Sequence, residues 1–450
     1  MGRQLRIGFV AHRGNMHCGG QGVYLWFLAR ELAKLGHLVD VFVGPPYPDP
    51  MPFARSVTQL PNQEFWAKWF MGDRYAFLPR ERPLRIFEPL NLYELGASRA
   101  GFLPEAFAFS VRAFAAIAAR LRAGVRYDVI HDVQCLGYGI LGIRRLGMPV
   151  VTTVHHPLTV DRRASFVRDE TFRDAVGTMA FYPIGMQSFV ARRIDALFTS
   201  SAVSARQIER DFGVQADRIH MVANGVDTNL YCENSASPRS EAEILCVGRA
   251  SDPNKGIGTL IDALARLPRK IRLTLVDTNH PDSSARRRAR DLGCEDRLEI
   301  TGRVETDELV ALYRRATLVV VPSRYEGFGL PAVEAMACGT PVVACAAGAL
   351  PEVIGVGGGG ILVARDDPGS LARGIAELID QPQRRRELGR EGRRRTDEAY
   401  AWPRVAERTA AVYGEIVDSF RSTRGRPANT MTSDSAGRRR ANRSSASSVA

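Results

Sequence analysis

Arg324-Tyr325-Glu326-Gly327-Phe328-Gly329-Leu330-Pro331-Ala332-Val333-Glu334-Ala335-Met336-Ala337-Cys338-Gly339-Thr340-Pro341-Val342-Val343 is the stretch that decides how this chain is read. The apolar run Leu318 to Val321 just before it reads as a buried parallel strand. Pro322, Gly327 and Gly329 predict a turn. Pro331 suits the first turn of a helix, which Gly339 then stops. Glu326 thus falls in a strand-to-helix loop, and Glu334 lies on the helix, about two turns on and near the same face. Bare amides at a helix start attract an anion, whereas two carboxylates repel one. Both features suit one ligand with hydroxyls at two places and phosphate between them, which is the chemistry of a nucleotide sugar. The plainer alternative is a pair of solvated carboxylates on a helix face, and a bare E-x7-E spacing does not exclude it.

The flanking segments Glu-Gly-Phe-Gly-Leu-Pro and Glu-Ala-Met-Ala-Cys-Gly-Thr-Pro-Val-Val carry more information than the spacing. With them, the stretch closely resembles the retaining glycosyltransferases of family 4, the glycosyl transferases group 1. That resemblance implies an α/β fold of the GT-B type: two Rossmann-like doubly wound domains face each other across a cleft, and a C-terminal helix crosses back to the first. The expected boundaries are an acceptor-side domain over 1–232, a linker over 233–241 and a nucleotide-sugar-binding domain over 242–403. A crossover helix over 404–420 and a disordered basic tail over 421–450 follow.

At 450 residues the chain is long enough for two domains with separate cores. Hydrophobic residues at 45% and charged residues at 24% are ordinary for a globular protein. No apolar run reaches the roughly 18 residues needed to span a bilayer, and Ile7 to Ala11 reads as a first strand, not a signal peptide. The seven cysteines are scattered without a C-x-x-C pair, which argues for reduced thiols and a cytoplasmic setting. Of the net charge of +12, half lies beyond residue 420, where seven arginines face the single acid Asp434. That tail has almost no large apolar residues and is expected to be disordered. The remainder is only mildly basic, so the charge does not point to a specific nucleic-acid partner.

In chain order, Leu5–Ala11 predicts a strand, a loop ending in Gly19-Gly20-Gln21-Gly22 follows, and Val23–Leu35 predicts a helix. Glycines at such a turn let amides approach a phosphate, although a tight turn without a ligand has the same look. Residues 45–105 read as irregular. Within them Phe65, Trp66, Trp69, Phe70, Tyr75 and Phe77 alternate with basic residues. A segment like 65–77 suits peripheral contact with an inner membrane face or a hydrophobic acceptor, and a loop packed on the first domain is the alternative. Glu105–Arg122 predicts a helix. Strands are expected at Tyr127–Asp132, at Gly147–Val154 before His155-His156, and at Asp195–Ser200 before a helix start at Ser201. In the second domain, the strand Ile244–Gly248 runs into Arg249, and Lys255-Gly256 comes six residues later. This makes a cationic cradle ahead of a helix: Arg grips two phosphate oxygens and Lys adds a movable charge.

Two G-x-G-x-x-G patterns, at Gly137-Gly139-Gly142 and Gly355-Gly357-Gly360, lack the strand-then-helix context of a dinucleotide fingerprint and are set aside. There is no D-x-D pair to hold a metal on a diphosphate.

The family resemblance assigns the remaining roles. Gly19, Gly20 and Gln21 reach the donor diphosphate and sugar across the cleft, and His155 faces the donor sugar, with His156 the other candidate. Arg249 and Lys255 hold the diphosphate, and Gly302 and Arg303 pass beside the base. Glu326 takes a donor-sugar hydroxyl and Glu334 the ribose hydroxyls, in the setting of Gly327, Phe328, Gly329 and Leu330. The catalytic set is His155, Arg249, Lys255 and Glu326. The expected activity is retaining transfer from a nucleotide-diphosphate sugar to an unidentified acceptor, a lipid or small metabolite, with no cofactor and no metal. Sugar-nucleotide epimerases or phosphorylases of the same fold, and a non-catalytic nucleotide-sugar-binding module, are the rival readings.

Overall fold

In the computed structural model the strands gather into two parallel sheets, one in each half of the chain. The structure describes residues 3–16, 20–61, 83–100, 102–155, 183–234, 239–355 and 357–425, with residues 157, 159 and 162. The first half contributes β1 (Arg6–Ala11), β2 (Leu38–Val43), β3 (Ser56–Gln59), β4 (Val129–Val133), β5 (Val150–Thr153), β6 (Ala196–Thr199) and β7 (Ile219–Met221). Their order across the sheet is β3-β2-β1-β4-β5-β6-β7. The second half contributes β8 (Glu243–Val247), β9 (Arg272–Val276), β10 (Leu298–Ile300), β11 (Leu318–Val321), β12 (Val342–Cys345) and β13 (Gly360–Val363), in the order β10-β9-β8-β11-β12-β13.

Both orders start in the middle, run outward, then return to the other side of the first strand. The direction reverses between β1 and β4, and again between β8 and β11. In doubly wound sheets the ligand crevice lies at such a switch point, outside the carboxyl ends of the strands. The strands read as apolar runs because both faces are covered. Phe9 and Val41 point into one core cluster and Val10 and Phe42 into another on the opposite face, as the alternation of side chains along a strand requires. The second sheet has the same double cover.

The strands anticipated from the apolar runs all form, and the helix Glu105–Arg122 forms as expected. The stretch 45–105 needs correction, because it is not irregular throughout. It contains β3, parallel to β2, then a 3-10 turn Pro83–Phe87 and a helix Pro89–Arg99. Strand β3 is a four-residue edge strand with no apolar run to betray it. The helix buries Asn91 and Glu94 where an apolar stripe would normally lie, and the Arg112 guanidinium meets Glu94 at 2.8 and 3.0 Å. Segment 65–77 lies outside the described residues.

The two discarded glycine patterns serve packing. A Cβ at Gly139 would lie 2.1 Å from the carbonyl oxygen of Ser110, where the helices Tyr138–Arg145 and Glu105–Arg122 touch. A Cβ at Gly360 would lie 2.1 Å from the carbonyl oxygen of Val342 on the neighbouring strand.

The last helix, Trp402–Gly425, crosses back to the first sheet. Its Trp402 ring stacks on Phe27 at 5.6 Å, and Val405, Ala406, Tyr413 and Val417 join the core beneath β1. The turn Asn224–Asp227 launches it, with the Val226 amide donating to the Tyr400 carbonyl at 2.8 Å. This helix exceeds the expected span of 404–420 at both ends. Residues 421–425, assigned above to a disordered tail, are helical, and Arg421 pairs with Asp128 of the first half at 2.7 Å. The rest of the tail lies outside the described residues.

Candidate active site

The switch point of the second sheet is where two loops are zipped together. After β8 the chain passes Arg249, turns at Pro253–Lys255 and enters the helix Ile257–Arg266 through Gly256. After β11 it passes Ser323 to Gly329 and enters the helix Leu330–Ala337. The Arg324 amide donates to the Asn254 carbonyl at 2.7 Å. Gly256 has φ +63°, and a Cβ there would lie 2.0 Å from the Pro322 carbonyl oxygen, so only glycine lets the loops meet.

That meeting brings the Lys255 Nζ to 2.8 Å from Glu326 Oε1. Ser323 Oγ donates to the same oxygen at 2.7 Å. The other oxygen of Glu326 takes no hydrogen bond among the described residues. Arg249 is exposed and, among the described residues, its guanidinium has neither an ion-pair partner nor a hydrogen-bond acceptor. A charge left unpaired beside a helix start is open to an incoming anion.

Glu334 sits in the helix Leu330–Ala337 that the loop after β11 leads into. Tyr313 Oη donates to its Oε2 at 2.8 Å, and Tyr231 lies alongside with ring centroids 6.0 Å from Tyr313. Burial raises the Glu334 carboxyl above the usual range, and the tyrosine hydroxyls partly offset that. The Phe328 ring is buried against Tyr400 at 5.6 Å, so only its backbone is available to a ligand. Gly327 and Leu330 are half-buried, as is Gly302, while Arg303 is exposed.

In the first half, the helix Gly20–Lys34 starts at Gly20, with Gln21 half-buried in its first turn. Open space surrounds the position a Cβ of Gly20 would take. Gly19 and His156 lie outside the described residues. His155 follows β5, and its amide donates to Gln134 Oε1 at 2.9 Å. The Tyr24 ring meets the His155 imidazole edge-on at 4.8 Å. Tyr24 is itself fixed from below: its hydroxyl meets Thr153 Oγ1 at 2.9 Å, Thr153 Oγ1 meets His131 Nε2 at 2.7 Å, and His131 Nδ1 bonds the Tyr413 hydroxyl. Burial drives the His131 imidazole down to about 3, so this chain is neutral. It links the crossover helix to the strand that carries His155.

The two halves meet at the carboxyl ends of their strands. Ser201 Oγ and Ser204 Oγ donate to the Gly327 carbonyl at 2.8 and 3.2 Å. Ser204 Oγ also lies 3.4 Å from the His155 carbonyl. His155 and the Glu326–Gly329 loop, 171 positions apart at Glu326 in the sequence numbering, are therefore joined through one hydroxyl. The sequence did not reveal Ser204, Tyr24, Thr153, Tyr313 or Tyr231. Only the helix start at Ser201 was legible, since its side chain caps the Ser204 amide at 3.1 Å. No helix among the described residues is long and apolar enough to cross a membrane.

Comparison with known proteins follows the same division. The family model described as Glycosyltransferase Family 4 matches residues 18–230, and the one described as Glycosyl transferases group 1 matches residues 229–395. A protein of Mycolicibacterium hassiacum named MMP alpha-(1->4)-mannosyltransferase is 40% identical over 418 residues, 92% of this chain and 98% of its own. D-inositol 3-phosphate glycosyltransferase 1 of Catenulispora acidiphila is 30% identical over 440 residues, 93% of this chain and 95% of its own. Among solved structures, sucrose-phosphate synthase from Thermosynechococcus elongatus superposes with a TM-score of 0.66 at 25% identity, over 93% of this chain and all of its own. Anabaena HepE in complex with UDP and glucose shares the fold, with a TM-score of 0.64 at 20% identity over 91% of this chain and 100% of its own. Two doubly wound halves, a helix crossing back and a relative matched across nearly its whole length lead to one conclusion: this chain belongs to the glycosyltransferases of family 4, the glycosyl transferases group 1, and has their GT-B fold.

Proposed function

We propose that this glycosyltransferase moves a hexosyl unit from a nucleotide-diphosphate sugar to an acceptor hydroxyl, with retention at the anomeric carbon and with protein cations in the place of a metal. The observation that carries the reading is the contact of Lys255 with Glu326 at 2.8 Å at the switch point of the second sheet, on the loop that also carries Arg249, which has no partner among the described residues. In the reaction the bond from the anomeric carbon to the diphosphate oxygen breaks and the bond to the acceptor oxygen forms. The acceptor proton passes to the departing phosphate. Negative charge grows on that phosphate, and Arg249 and Lys255 are placed to neutralise it. Glu326, with one oxygen held by Lys255 and Ser323 and the other open, takes a hydroxyl of the donor sugar. Glu334 takes the ribose hydroxyls, and His155 faces the sugar from the opposite half. With no second carboxylate assigned as a covalent nucleophile, attack comes from the face the diphosphate leaves.

The mannosyltransferase relative at 40% identity makes a mannose-bearing nucleotide the first donor to test and a sugar hydroxyl the first acceptor class. The inositol-phosphate enzymes, at about 30%, make that acceptor the second. A thermal-shift series with GDP-mannose, UDP-glucose and ADP-glucose identifies the donor. Slow donor hydrolysis, followed by proton NMR in the presence of EDTA, then reads the anomer and the metal requirement. Release of α-configured free sugar with EDTA present is the expected result. An inverted product, a stop on chelation, interconversion of the intact donor or binding without any turnover would each overturn a named part of the reading.

A further inference from the structure

One carboxylate of the second half ends in the first. Glu352 lies on the short helix Leu350–Ile354 after β12, and its oxygens accept from the amides of Ala202 at 2.8 Å and Val203 at 3.1 Å. These are the first two residues of the eleven-residue helix Ala202–Phe212. Amides at a helix start have no partner inside their own helix, and the start favours negative charge. Glu352 fills from across the cleft the place a bound anion fills elsewhere.

The same helix start is what grips the donor loop. Ser200, Ser201 and Ser204 all direct their hydroxyls at the Gly327 carbonyl, at 3.4, 2.8 and 3.2 Å, and Ser204 also reaches the His155 carbonyl. One turn further along, Gln207 Oε1 accepts from the Tyr325 hydroxyl at 3.1 Å. Glu352 is moreover fixed to the loop it serves. The Ala349 amide donates to the Glu326 carbonyl at 2.9 Å. Gly348, at φ +55°, approaches so closely that a Cβ would lie 2.2 Å from the Glu326 carbonyl oxygen. Arg395 holds the Glu352 carbonyl at 2.8 Å from behind. Glu352, Glu326 and Gly327 therefore move as one piece, and the helix Ala202–Phe212 is its seat.

We propose that Glu352 is a positioning residue for transfer: by docking on the Ala202 and Val203 amides it holds the Gly327 loop against His155 and sets the closed cleft in which the donor sugar reacts. This rests on the transfer reading above. It acts on the reacting geometry more than on the nucleotide, because Arg249, Lys255 and Glu334 all belong to the second half. Glu352→Ala leaves both amides without a partner. Glu352→Gln keeps the size but presents one acceptor and one donor to two amides.

The test measures full-length wild type, Glu352→Gln, Glu352→Ala and Ser204→Ala by donor turnover, by titration with GDP and UDP, and by small-angle scattering. Glu352→Ala is expected to lose about 10²-fold in kcat, the scale of a small misplacement of reacting groups. Glu352→Gln should lose less, and Ser204→Ala less still. Donor KM and the number of nucleotide-binding sites per chain should stay within about threefold of wild type, and the radius of gyration of Glu352→Ala should increase. A kcat loss matched by an equal loss of binding sites would mean misfolding and overturn the proposal, as would wild-type kcat in Glu352→Ala. Should the wild type turn over no donor at all, the transfer reading fails first; scattering then decides by itself whether Glu352 holds the halves together, and an unchanged curve overturns that too.

Discussion

At the switch point between β8 and β11, Arg249 stands exposed with no partner among the described residues, while Lys255 reaches Glu326. At the corresponding place between β1 and β4, the charged side chains Arg13 and Asp132 are already engaged. Arg13 pairs with Glu105 at 2.6 Å. The Asp132 carboxylate accepts from the Leu136 amide at 2.9 Å and from Thr152 Oγ1 at 2.8 Å, and burial pushes it up to about 6. His12 is driven down to about 3, first by burial and then by the charge of Arg13. The strand order is shared, so topology supplies two crevices, but among the described residues only the second holds a cation without a partner. The difference lies in side chains and not in the fold.

Removing the two cations of the second crevice should show the contrast most strongly. Arg249→Ala combined with Lys255→Ala is expected to lower donor turnover by about 10²–10⁴-fold, since charge-assisted hydrogen bonds are worth about 1.5–3 kcal/mol each. Arg13→Ala, the matching change in the first half, should alter donor kcat/KM by no more than a few-fold. Equal losses in steady-state assays would erase the distinction between the crevices.

Next in size is the backbone contact that zips the two loops. Gly256→Ala must accept both a positive φ and a Cβ 2.0 Å from a carbonyl oxygen, and is expected to cost about 2 kcal/mol or more in urea unfolding. Gly20→Ala, with open space around it, should change stability by less than about 1 kcal/mol. If Gly20 approaches the donor diphosphate, the same substitution weakens donor binding while leaving the melting curve in place.

Acid should separate the halves by stability. His12 and His131 fall from an ordinary 6.5 to about 3, so the fold holds them neutral while the unfolded chain protonates them. Their contribution is complete above about pH 6.5 and is lost as pH falls towards 3. Asp132 works the other way: raised from 3.8 to about 6, it gains stability as pH falls through that interval. Two histidines oppose one aspartate, so the first half should melt earlier with each step below pH 6.5, and His131→Gln should flatten the slope. Melting followed by tryptophan fluorescence, which Trp402 in the first-half core reports, checks the order.

The smallest expected effect is at Glu334. Tyr313→Phe removes one hydrogen bond and should raise donor KM about fivefold. Because the tyrosine hydroxyl lowers a carboxyl already raised by burial, its loss should also move the acid limb of donor binding to higher pH. A pH profile of donor KM unchanged by the substitution would remove Tyr313 from the site.

Much of this is legible in the sequence. The apolar runs of β1, β4, β8 and β11 announce themselves because strands covered on both faces need no polar alternation. Glu326, Arg249 and Lys255 were readable because glycines and prolines mark the loops that hold them, and Glu334 because Pro331 and Gly339 mark its helix. Strand β3 and the helix Pro89–Arg99 were not, because one is a short edge and the other buries Glu94 on Arg112 where an apolar face would normally show.

The sequence alone determined that two parallel sheets form and which loops carry the cations and carboxylates, because hydrophobic period and turn chemistry act over a few neighbouring residues. Only the tertiary structure decided that Glu352 seats on Ala202, that Ser204 joins His155 to Gly327 and that Tyr413 reaches His131. Those contacts link residues more than a hundred positions apart or on separate sheets, and a hydroxyl or carboxylate carries no local mark of the distant amide or carbonyl it will meet.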